Sequence, residues 1–120
     1  MNAKAGLIQM GEKAKRLEDD VVKALTTAQM ADVKAMLEKD HAVDCLFLLL
    51  LGKGKWKNAK GFMNKHNLTL SDGTYRARMI EITQKGFAKA TPIDPLKKEY
   101  TATERGKRLA LALLKLLREA

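Results

Sequence analysis

The chain contains only one cysteine, two prolines and 5% aromatic residues among its 120 residues. A single cysteine excludes an internal disulfide, and Cys45 lies in an apolar run where a reduced, buried thiol is the usual outcome. That run, Cys45–Leu51, is the longest in the sequence at seven residues, whereas a helix that crosses a bilayer needs roughly 20. We therefore expect no membrane span.

The first residues also lack the pattern of a secretory signal. Met1 is followed by Asn2, Ala3 and Lys4 and then by a charged amphipathic stretch, without the apolar segment and cleavage site of a signal peptide. We therefore expect a cytoplasmic protein, associated with the nucleoid if the host is a prokaryote. With 46% hydrophobic residues, the chain suffices for one domain with its own core and terminal additions.

Acidic residues are scarce after residue 40. Residues 1–40 hold seven basic and seven acidic side chains, whereas residues 41–100 hold eleven against five, so the net charge of +9 lies entirely in the later part. Between Lys53 and Lys89, nine basic residues face only Asp72 and Glu81. Such a concentration attracts polyanions, although a solvated lysine-rich surface has the same composition. On charge alone, both interpretations stay open.

Apolar residues at helical spacing, among them Leu17 and Val21, predict that the first 40 residues form one long helix or two short ones. The letters TTAQ fit a capping box with Thr26 as the cap. Asp40 is expected to cap the next helix, which is apolar on nearly every side and stops at Gly52. A helix of that composition should be the central helix of the domain.

Two more helices follow in the basic region. Asn58 is a candidate cap for a helix whose Phe62 and Met63 face the core, and Ser71 is a candidate cap for a helix that ends at Gly86. The core face of the second helix is predicted to comprise Tyr75, Met79 and Ile82.

A two-stranded ribbon is predicted after Gly86, because two short alternating segments flank a proline turn at residues 93–96. A last helix follows it, capped either by Thr101 in a capping box with Glu104 or by Thr103 alone. The apolar stripe of that helix comprises Leu109, Leu113, Leu116 and Leu117.

Three helices followed by a hairpin, with a basic third helix and a lysine-tipped hairpin, have the element order of a winged helix-turn-helix. The segment LTLSDGTYRARMIEITQKGFAKATP resembles the turn, recognition helix and second strand of winged-helix regulators. The segment YTATERGKRL is similar to the one that follows the wing in PadR, HxlR and MarR-type regulators. The resemblance covers roughly residues 40–110, with two departures: Gly61 and the long KHNLT connection make the second helix less regular than the family pattern, and Tyr75 stands where a small apolar residue is usual.

The expected fold is therefore mainly α with a small β-hairpin. Residues 40–103 form the winged helix-turn-helix DNA-binding domain, and residues 1–39 and 104–120 are helical additions used for dimerisation. In this interpretation the helix at 71–85 enters the major groove, and the wing at 87–102 contacts the backbone or minor groove.

Arg76 and Arg78 are the candidates for base contacts, because a guanidinium can bind the O6 and N7 acceptors of guanine with both prongs. The alternative is that either arginine is solvated or paired with Asp72 or Glu81. Tyr75 is a candidate for an outward stacking or phosphate contact if it leaves the core. The remaining candidates for contacts to double-stranded DNA, mainly to phosphates, are Lys55, Lys57, Lys60, Lys65, Ser71, Thr74, Lys97 and Lys98.

Regulators of the resembled type usually bind as two-fold homodimers, and the leucine-rich stripes at both ends of the chain exceed what one small domain needs to cover. The predicted dimer interface comprises Leu17, Val21, Leu109, Leu113, Leu116 and Leu117. The alternative is that both terminal helices fold back on their own domain.

No catalytic or cofactor pattern stands out. His41, Cys45 and His66 would form an incomplete metal set, and there is no Ser-His-Asp set or phosphate-binding glycine loop. We expect no enzyme, no metal and no cofactor, and no pattern marks a pocket for an effector ligand.

The leading hypothesis is a sequence-specific, homodimeric transcription repressor. The alternatives are an architectural or plasmid-partition protein that coats DNA with little sequence preference, and a protein-binding adaptor.

Overall fold

A computed structural model describes the backbone of residues 3–120 and the side chains of residues 11–120. These residues form six helices and one antiparallel hairpin, which confirms a mainly α fold with a small β component. The elements are α1 (Ala3–Thr26), α2 (Ala28–Leu37), α3 (Ala42–Leu50), α4 (Trp56–Lys65), α5 (Asp72–Gln84), β1 (Ala88–Asp94), β2 (Lys97–Ala102) and α6 (Glu104–Glu119). Among the helices so described, none is long and apolar enough to cross a membrane.

The chain divides into two compact units, Met1–Ala35 and Met36–Ala120. In the first unit, α1 ends at Thr26, so the predicted capping box does not form. The Thr26 hydroxyl instead donates to the carbonyl oxygen of Val22 at 2.7 Å, within α1. All described side chains of α1, from Gly11 to Thr26, are exposed.

The core of the second unit is built around α3. Cys45, Leu46 and Leu49 are buried, as the apolar run predicts for a central helix. Asp40 does not cap α3, however. The N-cap position belongs to His41, whose backbone is left-handed (φ 62°) and whose side chain makes no capping hydrogen bond.

The helix α4 begins two residues before the predicted cap. Lys55 occupies the N-cap position in an extended conformation and provides no side-chain cap, so Asn58 lies inside the first turn of the helix. Ala59 and Met63 are buried and Phe62 is half-buried, which agrees with the predicted core face.

The limits of α5 match the sequence pattern closely. Ser71 is its N-cap, and the Ser71 Oγ accepts a hydrogen bond from the Thr74 amide at 3.1 Å. Gly86 follows its C-terminus with a positive φ of 86°. The buried face of α5 comprises Tyr75, Met79 and Ile82.

The hairpin pairs Ala88 with Ala102 at its base and Asp94 with Lys97 at its tip. At the turn, the Asp94 carboxylate accepts hydrogen bonds from the amides of Leu96 and Lys97, both at 2.8 Å. Side chain-to-backbone bonding of this type is typical of Asp in tight turns. The turn lies within residues 93–96, where the proline turn was predicted.

Two glycine contacts attach the hairpin to its neighbours. The Tyr100 amide of β2 donates to the Gly54 carbonyl at 2.9 Å, and a Cβ on Gly54 would overlap the Tyr100 carbonyl oxygen. Where α6 begins, a Cβ on Gly106 would overlap the Phe87 carbonyl oxygen in the same way. Only glycine permits such close approach of two backbones.

Thr103, not Thr101, caps α6. The Thr103 Oγ accepts from the Gly106 amide at 3.1 Å and donates to the Gly86 carbonyl at 2.8 Å, whereas Thr101 lies within β2. The helix then packs against α3 through Ala110, which is buried.

Candidate nucleic-acid interface

The outward face of α5 follows directly from its buried face. Because Tyr75, Met79 and Ile82 point into the core, the exposed positions are Gly73, Arg76, Ile80 and Gln84. Sequence reasoning missed Ile80 and Gln84 as surface candidates. The signal was present in the same helical periodicity, because positions 73, 76, 80 and 84 recur at spacings of three and four residues and so share one face of the helix.

Arg76 is the accessible arginine of α5. Its side chain is 64% exposed, and its Nε donates to the Asp72 Oδ1 at 2.9 Å, one helical turn earlier. Exposed pairs of this kind contribute about 0–1 kcal/mol. The guanidinium can therefore exchange the Asp72 carboxylate for another acceptor at little free-energy cost.

Arg78 is directed toward the interior instead. Its side chain is 15% exposed, its Nη2 lies 3.3 Å from the Glu81 Oε1, and its Nε is buried without a hydrogen-bond partner. The alternative raised from the sequence, an arginine paired with a nearby carboxylate, thus describes both arginines of α5. Only Arg76 combines that pairing with high exposure.

Cys45 confirms the expectation of a buried, reduced thiol. It is 0% exposed, and burial raises its pKa to about 12, with the Asp44 carboxylate adding to the increase and the Arg78 guanidinium opposing it. A thiol with so high a pKa is a poor nucleophile.

Tyr75 belongs to the core and is removed from the set of surface candidates. It is 2% exposed, its hydroxyl donates to the Lys53 carbonyl at 3.2 Å, and its ring lies 5.1 Å from that of Trp56. Burial raises the pKa of its phenol above the ordinary value of 10.0. A small apolar residue at position 75 would leave space in the core. In this protein the paired rings of Tyr75 and Trp56 fill it and connect α5 to the start of α4.

Ser71 and Thr74 lie at the N-terminus of α5. The Ser71 hydroxyl caps the helix and also donates to the Thr74 hydroxyl oxygen at 2.9 Å. The first-turn amides of a helix carry partial positive charge, so this end of α5 favours an anion. The role that the structure shows for Ser71 is helix capping, which the sequence also favoured over a phosphate contact.

The helix α4 exposes lysines and carries no acidic residue. Lys57, Lys60 and Lys65 are exposed, whereas Ala59 and Met63 are buried. Lys55, just before the helix, is half-buried, and its Nζ lies 3.6 Å from the Glu99 carboxylate of β2. Lys97 and Lys98 are exposed at the start of β2, next to the hairpin turn.

The residues predicted for a dimer interface differ in exposure. Leu17 and Val21 of α1 and Leu116 and Leu117 of α6 are exposed, whereas Leu109 and Leu113 are half-buried in the second unit. Half-burial is the expected consequence of packing α6 on α3. Exposed apolar residues nevertheless remain on each of the two helices.

Within residues 11–120, no three His, Cys, Asp or Glu side chains converge as metal ligands. His41 pairs with Asp44, and the ring of His66 lies 4.7 Å from that of Phe62.

In comparisons with known proteins, no family model, curated protein or solved structure matches the chain.

Proposed function

We propose that the protein binds double-stranded DNA as a winged helix-turn-helix regulator, with α5 in the major groove and the hairpin as the wing. One arrangement supports the proposal above all. The elements α3, α4, α5 and the hairpin follow one another in a single compact unit, and within that unit α4 exposes three lysines and carries no acidic residue. The Gly54–Tyr100 hydrogen bond, which joins the segment before α4 to β2, is consistent with that architecture.

In this proposal α5 reads sequence through its exposed face. Arg76 releases Asp72 and binds the O6 and N7 atoms of a guanine, a contact that is worth about 1–3 kcal/mol of discrimination. Ile80 lies one turn further along the same face and offers an apolar contact to a thymine methyl group. Arg78 keeps its internal pair with Glu81.

The phosphate contacts come from other elements. Lys57, Lys60 and Lys65 of α4 neutralise one backbone, and the N-terminus of α5 with Thr74 faces another phosphate. Lys97 and Lys98 at the wing reach an adjacent phosphate or the minor groove. Each phosphate neutralised steepens the slope of log affinity against log salt by about 0.9.

We further propose a two-fold homodimer that acts as a transcription repressor. The exposed apolar residues of α1 and α6 support it, because surface stripes of this kind are commonly covered by a partner. Two copies would read half-sites that lie about one helical turn of DNA apart. Occupation of such a site by two copies would block access to a promoter.

One observation favours a second candidate, an architectural DNA-coating protein. Since Arg78 is turned inward, α5 offers one accessible arginine for base edges, whereas the exposed lysines outnumber it. Lysine contacts to phosphate carry no sequence information. A protein that binds mainly through them would cover DNA with little base preference.

The test is selection of bound duplexes from a randomised library at near-physiological salt, followed by a salt titration on the enriched sequence. The repressor proposal predicts a palindromic motif that is bound at least about a thousandfold more tightly than random DNA. Binding without enrichment would favour the architectural candidate. Absence of binding to any duplex would overturn both and favour a protein partner.

A further inference from the structure

A cavity of 540 Å³ lies between α3, α4 and α6 of the second unit. Its walls include Phe47 of α3, Leu51 just after that helix, Phe62 of α4 and Leu114 of α6. Sites for small molecules in proteins usually have about 300–1,000 Å³ and mostly apolar walls. The cavity is therefore large enough for a molecule of one or two rings.

The cavity has a closed base and an open mouth. Leu48 and Met63 line it and are buried, whereas Leu51 and Leu68 line it and are 54% and 50% exposed. A molecule bound there would remove apolar carbon from water on both leucines. That removal is the usual driving force for apolar ligands.

One corner of the cavity is polar. His41 and Asp44 line it, and the His41 Nδ1 lies 2.8 Å from the Asp44 Oδ2. A carboxylate only accepts hydrogen bonds, so the Nδ1–H donates to the Asp44 Oδ2, and the carboxylate keeps further lone pairs for a donor on a ligand. Asp44 thus presents an acceptor at this corner, and it would repel an anionic ligand.

The backbone at His41 is a second, independent feature of this corner. Its φ of 62° is unusual for a residue other than glycine, and no side-chain hydrogen bond of a helix cap accompanies it. Residues held in sparsely populated backbone regions occur preferentially at functional sites.

We propose that the cavity binds an uncharged apolar molecule carrying one hydroxyl group, with its rings between Phe47 and Phe62 and its hydroxyl donated to the His41–Asp44 pair. The inference concerns the protein without DNA and does not depend on the function proposed above.

The first experiment compares two probes of similar shape on the isotopically labelled full chain, 2-naphthol and 2-methoxynaphthalene. Both are apolar, but only 2-naphthol can donate a hydrogen bond. We expect 2-naphthol to shift the amide resonances of residues 41–51 and 62–69 with a stoichiometry of one. The methyl ether should bind about tenfold more weakly, because it cannot donate a hydrogen bond to the Asp44 carboxylate.

Variants then separate the polar corner from the mouth. His41→Asn retains a residue that tolerates left-handed backbone but removes the imidazole, and Asp44→Asn retains the shape of the side chain but removes its charge. Each should reduce the preference for 2-naphthol over its ether. Leu68→Trp, at an exposed position of the mouth, should weaken both probes, whereas Leu96→Trp at the hairpin turn is the matched control and should weaken neither.

Three results would overturn the proposal: equal affinity for the two probes, shifts spread over the surface without saturation, or shifts at the cavity that depend on protein concentration alone. The last would assign the cavity to a second copy of the chain. Since the probe comparison uses the unaltered protein, it remains decisive even if a variant fails to fold.

Discussion

The helices α4 and α5 bury apolar faces in the same unit but treat their basic residues in opposite ways. On α4, Lys57, Lys60 and Lys65 are exposed and no acidic residue shares the helix. On α5, Arg76 and Arg78 each pair with a carboxylate three or four residues away. The comparison shows that two helices of similar basic content can differ in the charge they leave available to a partner.

This difference suggests separate tasks. Lysines without a carboxylate on their own helix attract a polyanion at long range and are indifferent to its sequence. A paired arginine contributes less to that attraction, but it can form two directed bonds at a base edge once it leaves its carboxylate. In the DNA complex proposed above, α4 would therefore supply most of the affinity and α5 the specificity.

The largest expected effect comes from removing the side chain that joins the two helices. Tyr75→Ala should lower the free energy of unfolding by about 3–5 kcal/mol, because it leaves a cavity against Trp56 and removes the bond to Lys53. Tyr75→Phe, the matched control, should lose only about 1 kcal/mol with its hydroxyl. Urea denaturation measures both. Weakened DNA binding by Tyr75→Ala at unchanged stability would instead place Tyr75 on the surface.

The role of α4 is tested by replacing Lys57, Lys60 and Lys65 together with alanine. The slope of log affinity against log salt should fall by about 2.7, and affinity near 0.15 M salt should drop about a hundredfold. Fluorescence anisotropy with a labelled duplex measures both quantities. The control replaces Lys13, Lys15 and Lys23 of α1, which changes the net charge equally; the same loss in both triple variants would remove the special role of α4.

The role of α5 is tested by Arg76→Ala. It should weaken the selected site by about 1–3 kcal/mol and random DNA by much less, since the lost contact is to a base edge. Arg108→Ala on α6 removes the same charge from another exposed position and should affect both duplexes little. Competition binding gives the ratio, and an equal loss on both duplexes would count against base reading by Arg76.

Alkaline pH tests the interior that lies beneath α5. Because burial raises the pKa of Cys45 to about 12, the unfolded chain, with an ordinary value of 9.0, loses its thiol proton first. Stability contributed by the neutral thiol is therefore complete below pH 9 and declines between about pH 9 and 12, by about 1 kcal/mol per pH unit. In Cys45→Ala, the urea midpoint should decline less steeply as the pH rises. The decline that is left would come from Tyr75, whose pKa is also raised by burial. Identical pH profiles would contradict the burial of the thiol.

The smallest expected effect concerns the glycines within the two helices. A Cβ at Gly61 of α4 or Gly73 of α5 would meet no atom within 4 Å. Alanine at either position should raise the free energy of unfolding, by up to about 1 kcal/mol, because it restricts the unfolded chain and favours the helix. Thermal unfolding measures the gain. Only Gly73→Ala should also alter DNA affinity, and a loss of stability in either variant would show an unrecognised contact.

Local signals predicted much of the fold. Ser71 and Gly86 fixed the ends of α5, and the spacing of Tyr75, Met79 and Ile82 fixed its buried face, because capping and periodicity act within a few residues. The starts of α3 and α4 were not predicted. Neither His41 nor Lys55 provides a side-chain cap, so tertiary packing rather than a local signal determines where these helices begin.

The candidate site was less predictable than the fold. The sequence offered Arg76 and Arg78 as equivalent, but only the packing of α5 in the second unit leaves the side chain of Arg76 64% exposed and that of Arg78 15% exposed. Tyr75 likewise had two possible orientations until the positions of Lys53 and Trp56 were known. These assignments depend on contacts between residues about 20 or more positions apart.

The attachment of β2 to Gly54 has a consequence for self-association. A two-stranded ribbon has two edges whose free amides and carbonyls can recruit strands from other molecules. Here the Tyr100 amide is already bonded to Gly54, while on β1 Pro92 has no amide hydrogen and the pairing is irregular between Pro92 and Asp94. Both edges are thus poor templates for an intermolecular sheet, so the hairpin is a weak nucleus for aggregation even where many copies of the chain are close together.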